Sequence, residues 1–63
     1  MIVKTVLADS EGQELECYLN GENNVQIYVG TSSDEQSWSG IVLDKEGLDK
    51  FIKALNELRE EMQ

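Results

Sequence analysis

Sixty-three residues make one domain at most, and a chain this short buries only ~60% of the surface its unfolded form exposes, which leaves little room for an enzyme's pocket. One cysteine, Cys17, and no histidine exclude an internal disulfide framework and a Cys/His metal cluster. Thirteen acids against five bases give a net charge of −8, a balance that repels phosphate backbones and anionic membranes and favours basic partners or plain solubility.

The first predicted element is a strand over 2–8, rich in Val, Ile and Thr. It is too short for the apolar part of a secretory signal and lacks the basic start, and no window reaches the ~20 apolar residues of a membrane span, so a cytoplasmic location is expected. Turn composition follows in Asp9-Ser10-Glu11-Gly12. The second strand, 13–19, alternates Leu15, Cys17 and Leu19 against Glu14, Glu16 and Tyr18, the period of a half-buried strand. Asn20-Gly21 opens a loop of four or five residues. The third strand, 24–30, sets Val25, Ile27 and Val29 against Gln26 and Tyr28. After a polar turn over 31–35, the fourth strand, 36–43, sets Ile41 and Leu43 against Trp38, Gly40 and Val42.

Asp44 has the chemistry of a helix N-cap, and Glu46 suits the positive end of the helix dipole. Leu43 and Leu48 have the spacing of a hydrophobic staple. Over 45–61 a helix is expected, because Leu48, Phe51, Leu55, Leu58 and Met62 step by three and four, with Ile52 widening the stripe. The whole is an α+β fold, a four-stranded antiparallel meander (ββββα) with one C-terminal amphipathic helix packed on one face, in a single domain over 1–63. The alternation predicts Leu19 opposite Val25, Cys17 opposite Ile27 and Leu15 opposite Val29. In the last hairpin it predicts Ile27 opposite Ser39 and Tyr28 opposite Trp38. All the aliphatic side chains then share one sheet face, which the helix covers.

Two surfaces can carry function. Tyr18, Tyr28 and Trp38 stand ten residues apart on three successive strands, opposite in parity to the core, and Val42 joins them. An apolar aromatic patch on an open sheet face is a contact surface or a set of cross-strand pairs that shields the sheet. The helix stripe resembles a short coiled-coil seam, and Leu58 and Met62 near its end are candidate dimer contacts. A small core without staples favours a homodimer. Cys17 reads as a small buried apolar residue, since Glu14 and Glu16 beside it have the wrong sign to activate a thiol.

Catalysis and cofactors find no support. There is no nucleophile elbow, phosphate loop or histidine base, and no catalytic residue, cofactor or metal is expected. Asp9 and Glu11 before Gly12 resemble a piece of a calcium loop without its ligand spacing.

The strand Val25-Gln26-Ile27-Tyr28, the polar turn and Ser39-Gly40-Ile41-Val42-Leu43-Asp44-Lys45-Glu46 running into the helix resemble PC4-like domains, single-strand-binding transcriptional coactivators, over about residues 25–58. The resemblance implies a ββββα protomer, a helix-built homodimer and a sheet able to grip single strands. The basic residues such a sheet uses are absent here and acids stand in their place. The expectation is therefore a non-catalytic acidic interaction domain, homodimeric, that binds an unknown protein through Tyr18, Tyr28, Trp38 and Val42. A PC4-like single-strand binder and an acidic nucleic-acid mimic from a mobile element are the alternatives.

Overall fold

The computed structural model describes residues 3–63. Four strands, β1 (Thr5–Ala8), β2 (Gln13–Leu19), β3 (Val25–Thr31) and β4 (Asp34–Leu43), form one antiparallel sheet in the order β1-β2-β3-β4, followed by α1 (Lys45–Glu61). The ββββα arrangement and the helix bounds are those the alternation and the 3.6-residue period predict. The part of the first strand expected at Ile2 lies outside the described residues.

The first two hairpins close by the same chemistry. Asp9 Oδ1 accepts from the N–H groups of Glu11 (2.8 Å) and Gln13 (3.0 Å), and Asn20 Oδ1 accepts from Glu22 (2.9 Å) and Asn24 (3.0 Å). Each loop then needs one residue with positive φ, Gly12 at 86° in the first and Asn23 at 64° in the second. Asn23 adopts that conformation at a steric cost glycine avoids. Asn23→Gly is therefore expected to stabilise the fold, by up to ~1 kcal/mol, and Gly12→Ala to destabilise it by ~1 kcal/mol or more, both read from urea denaturation.

The β2–β3 register pairs Leu19 with Val25, Cys17 with Ile27 and Leu15 with Val29, as the alternation predicts. The β3–β4 register differs by two residues from the expected one: Ile27 faces Ile41 and Tyr28 faces Gly40. The cause is at the hairpin end. The ladder continues through the polar stretch as far as Thr31 opposite Asp34, and then slips between Thr31 and Val29. A bulge frees backbone groups that need partners. Here the Thr31 N–H donates to Ser37 Oγ (2.9 Å), and the Ser37 hydroxyl donates to the Asp34 carbonyl (2.7 Å). A shift of two preserves parity, so the β4 side chains from Trp38 to Leu43 keep their predicted faces.

Asp44 caps α1, its carboxylate accepting from the Gly47 N–H at 2.8 Å. A Cβ at Gly47 would sit 3.2 Å from that same carboxylate oxygen. Glu46 and Lys50 pair at 3.6 Å, both well exposed, a geometry that contributes little. Asp44→Ala is expected to cost about 1 kcal/mol, measurable as a shift of the urea midpoint.

The helix lies on the aliphatic side, where Phe51 shares an apolar hollow with Leu15, Ile27, Val29, Ile41 and Leu43. It does not close that face. Its contact with the sheet is mainly with β4, no helical residue is buried, and the stripe from Ile52 onward stands in solvent. One residue, Asp44, separates β4 from α1. A helix launched so directly takes its direction from the end of its own strand and has no connector with which to fold back over β1 and β2. Ile27, 9% exposed, is the one apolar side chain that counts as buried among the described residues, while Ile41 across from it is 57% exposed.

Candidate functional site

The sheet has two unlike faces, and strand parity decides which side chain stands on which. On the even-numbered face, β1 to β4 bring Val6, Glu16, Tyr28 and Gly40 into one row and Tyr18, Gln26 and Val42 into the next. Tyr18 and Tyr28 stack with ring centroids 6.5 Å apart and planes inclined by 29°. The Tyr28 ring lies over Gly40: a Cβ there would stand 2.6 Å from Tyr28 Cε1. Trp38 lies over Gly30 in the same way, with Cδ2 at 2.5 Å from the place a Cβ would take. The three rings and Val42 are thus on one face, as the parity of the sequence predicts. The tyrosines and the tryptophan are half-buried and Val42 is exposed.

The glycines explain how flat rings come to lie on a pleated surface. A side chain at position 30 or 40 would lift the neighbouring ring off the backbone. Without it, ring and strand make contact, and each ring covers peptide that would otherwise face water, the arrangement known as aromatic rescue of strand glycines. The rings therefore serve the sheet and still present their outer edges and faces to solvent. Beside them stand Glu14 and Glu16, the latter paired with Lys4 at 3.3 Å. An apolar ring patch flanked by carboxylates suits a partner with apolar and basic groups and opposes a phosphate backbone.

The odd-numbered face was expected to be core. Its rows run Thr5, Cys17, Ile27, Ile41, then Leu7, Leu15, Val29, and Leu19, Val25, Leu43. These rows carry no charged side chain, and the next row, Gln13, Thr31 and Asp34, ends on a carboxylate. Cys17 is half-buried here among apolar neighbours rather than fully enclosed. Leu7, Leu19, Val29 and Ile41 are exposed, and so are Phe51, Ile52 and Leu55 on α1. Leu58 and Met62, the candidate dimer contacts, are 60% and 74% exposed and far along the helix. This second apolar surface is what sequence reasoning missed. The available signal was the one-residue link at Asp44, which is too short for a helix that must turn back over four strands.

Among the described residues, no group of three His, Cys, Asp or Glu side chains converges as a metal ion would require. Asp9, which stands in the fragment of calcium-loop composition, spends one carboxylate oxygen on two turn N–H groups. No helix of the structure is long and apolar enough to cross a membrane. Comparison with known protein families, with curated proteins and with solved structures finds no match to this chain.

Proposed function

We propose that this chain is a non-catalytic acidic interaction domain, homodimeric and cytoplasmic, that binds a protein partner through Tyr18, Tyr28, Trp38 and Val42. The observation that carries this reading is the set of rings on one face, the Tyr18–Tyr28 stack with Tyr28 over Gly40 and Trp38 over Gly30, with Glu14 and Glu16 at its side. Aromatic side chains of this kind contribute large contact area at small entropic cost, and the carboxylates select a basic partner. The test compares the proteins captured by the wild type with those captured by Trp38→Glu, with circular dichroism as a check of folding. The expected result is loss of a basic partner from a folded variant. An unchanged set of captured proteins overturns the site.

A single-strand-binding role, as in the PC4-like domains the C-terminal half resembles, is the second reading, and the Tyr18–Tyr28 stack on a sheet surface is what favours it. Base stacking is worth ~1–3 kcal/mol per base, but here Glu14 and Glu16 occupy the face where such a surface needs bases. Fluorescence titration with a labelled single strand at low salt is expected to show no binding at high micromolar protein. Saturable binding there would favour this second reading over the first.

A further inference from the structure

The protein exposes 5448 Å² of surface, whereas a compact monomer of its 7.1 kDa mass exposes about 4,100 Å². Its Cα radius of gyration is 13.1 Å, against about 10.6 Å for a compact chain of this length. The excess, roughly 1,300 Å², is what one subunit contributes to a sizeable dimer interface, since a standard interface buries ~800 Å² per partner and an obligate one ~1,000 Å² or more. Most of the exposed large apolar side chains lie on the odd-numbered sheet rows and on the α1 stripe, two apolar surfaces that the single link residue Asp44 keeps from closing on each other.

We infer that the aliphatic face is completed by a second copy of this chain: the α1 stripe of each protomer lies across the β1–β4 face of the other, related by a two-fold axis. Two observations select a second copy over another occupant. The area matches a subunit interface. The two bare surfaces are complementary in shape class, a helix ridge and an open sheet, and a two-fold lets each protomer offer one and receive the other. The arrangement leaves the Tyr18, Tyr28 and Trp38 face free on both outer sides.

The inference deepens the self-association in the proposed function and is independent of the aromatic site. Native mass spectrometry and sedimentation equilibrium of the full chain should give twice the 7.1 kDa chain mass. In a mixed isotopically labelled and unlabelled sample, NMR should show intermolecular contacts from the Leu55 and Leu58 methyls to those of Val29 and Ile41. Leu55→Glu, at a side chain 46% exposed in the protomer, should weaken the dimer roughly hundredfold or more, because it carries an unpaired charge into the interface. A monomeric wild type overturns the inference. So does a dimer whose intermolecular contacts run helix to helix only, edge strand to edge strand, or through the aromatic rings. A monomer that still binds its partner through Trp38 removes the dimer and leaves the aromatic site standing.

Discussion

Gly30→Ala is expected to cost on the order of 3 kcal/mol and to bring this domain close to unfolding at room temperature. A Cβ at position 30 would lie 2.5 Å from Trp38 Cδ2, 2.6 Å from Cγ and 2.9 Å from the Trp38 Cα. The ring can swing aside, but the Cα belongs to the backbone of the adjacent strand, so relief requires β3 and β4 to separate where the ladder already slips. Overpacking of this kind costs ~1–3 kcal/mol in a well-filled site and more where backbone must move. The total stability of a domain this size is itself only ~3–9 kcal/mol. Urea denaturation of Gly30→Ala beside Gly21→Ala is the measurement. Gly21 has nothing within 4 Å of its Cβ position and no positive φ, so alanine there is expected to be neutral or slightly stabilising. Equal effects at the two positions would contradict the close packing of Trp38 on β3. The double variant Gly30→Ala, Trp38→Ala should recover only part of the loss, because the contact with the Cα remains.

The second large effect is on concentration. If two protomers complete one core, hundredfold dilution destabilises the dimer by ~2.7 kcal/mol. With ~2.1 cal/mol/K of unfolding entropy per residue, that lowers the Tm by on the order of 10 °C. Thermal melts at several micromolar and several hundred micromolar protein measure it directly. A Tm independent of concentration would mean that the protomer, with Ile27 as the one buried apolar side chain among its described residues, holds itself together unaided. Added salt is expected to raise the Tm of the dimer, since a chain of net charge −8 repels its own copy and screening weakens that repulsion.

Tyr18, Tyr28 and Trp38 were readable as a common face because strand parity is a local property: each ring differs by an odd number of residues from an aliphatic neighbour on its own strand. Their burial was not readable. It depends on Gly40 lying opposite Tyr28 and Gly30 lying under Trp38, and those neighbours come from the register of the last hairpin. The expected register counted 31–35 as a polar turn. Composition cannot show that the ladder runs on to Asp34, or that Ser37 takes the Thr31 N–H so that β4 can slip against β3. The covering of the aliphatic face was misjudged for a related reason. An amphipathic stripe states that a helix will bury one side, and is silent about whether the sheet it meets belongs to its own chain.

The sequence by itself determined the elements, their order and the faces of the rings and aliphatic side chains that alternate along β2, β3 and the second half of β4. Those follow from periods of two and 3.6 residues, the Asp9 and Asn20 turn chemistry and the Asp44 cap, all interactions spanning a few positions along the chain. Tertiary structure alone decided the register of β3 on β4, the seating of Trp38 and Tyr28 on glycines, and the open angle of α1 that leaves Leu55 and Ile41 bare. These depend on which distant backbones meet, and local periodicity carries no information about distance between segments that are far apart in the chain.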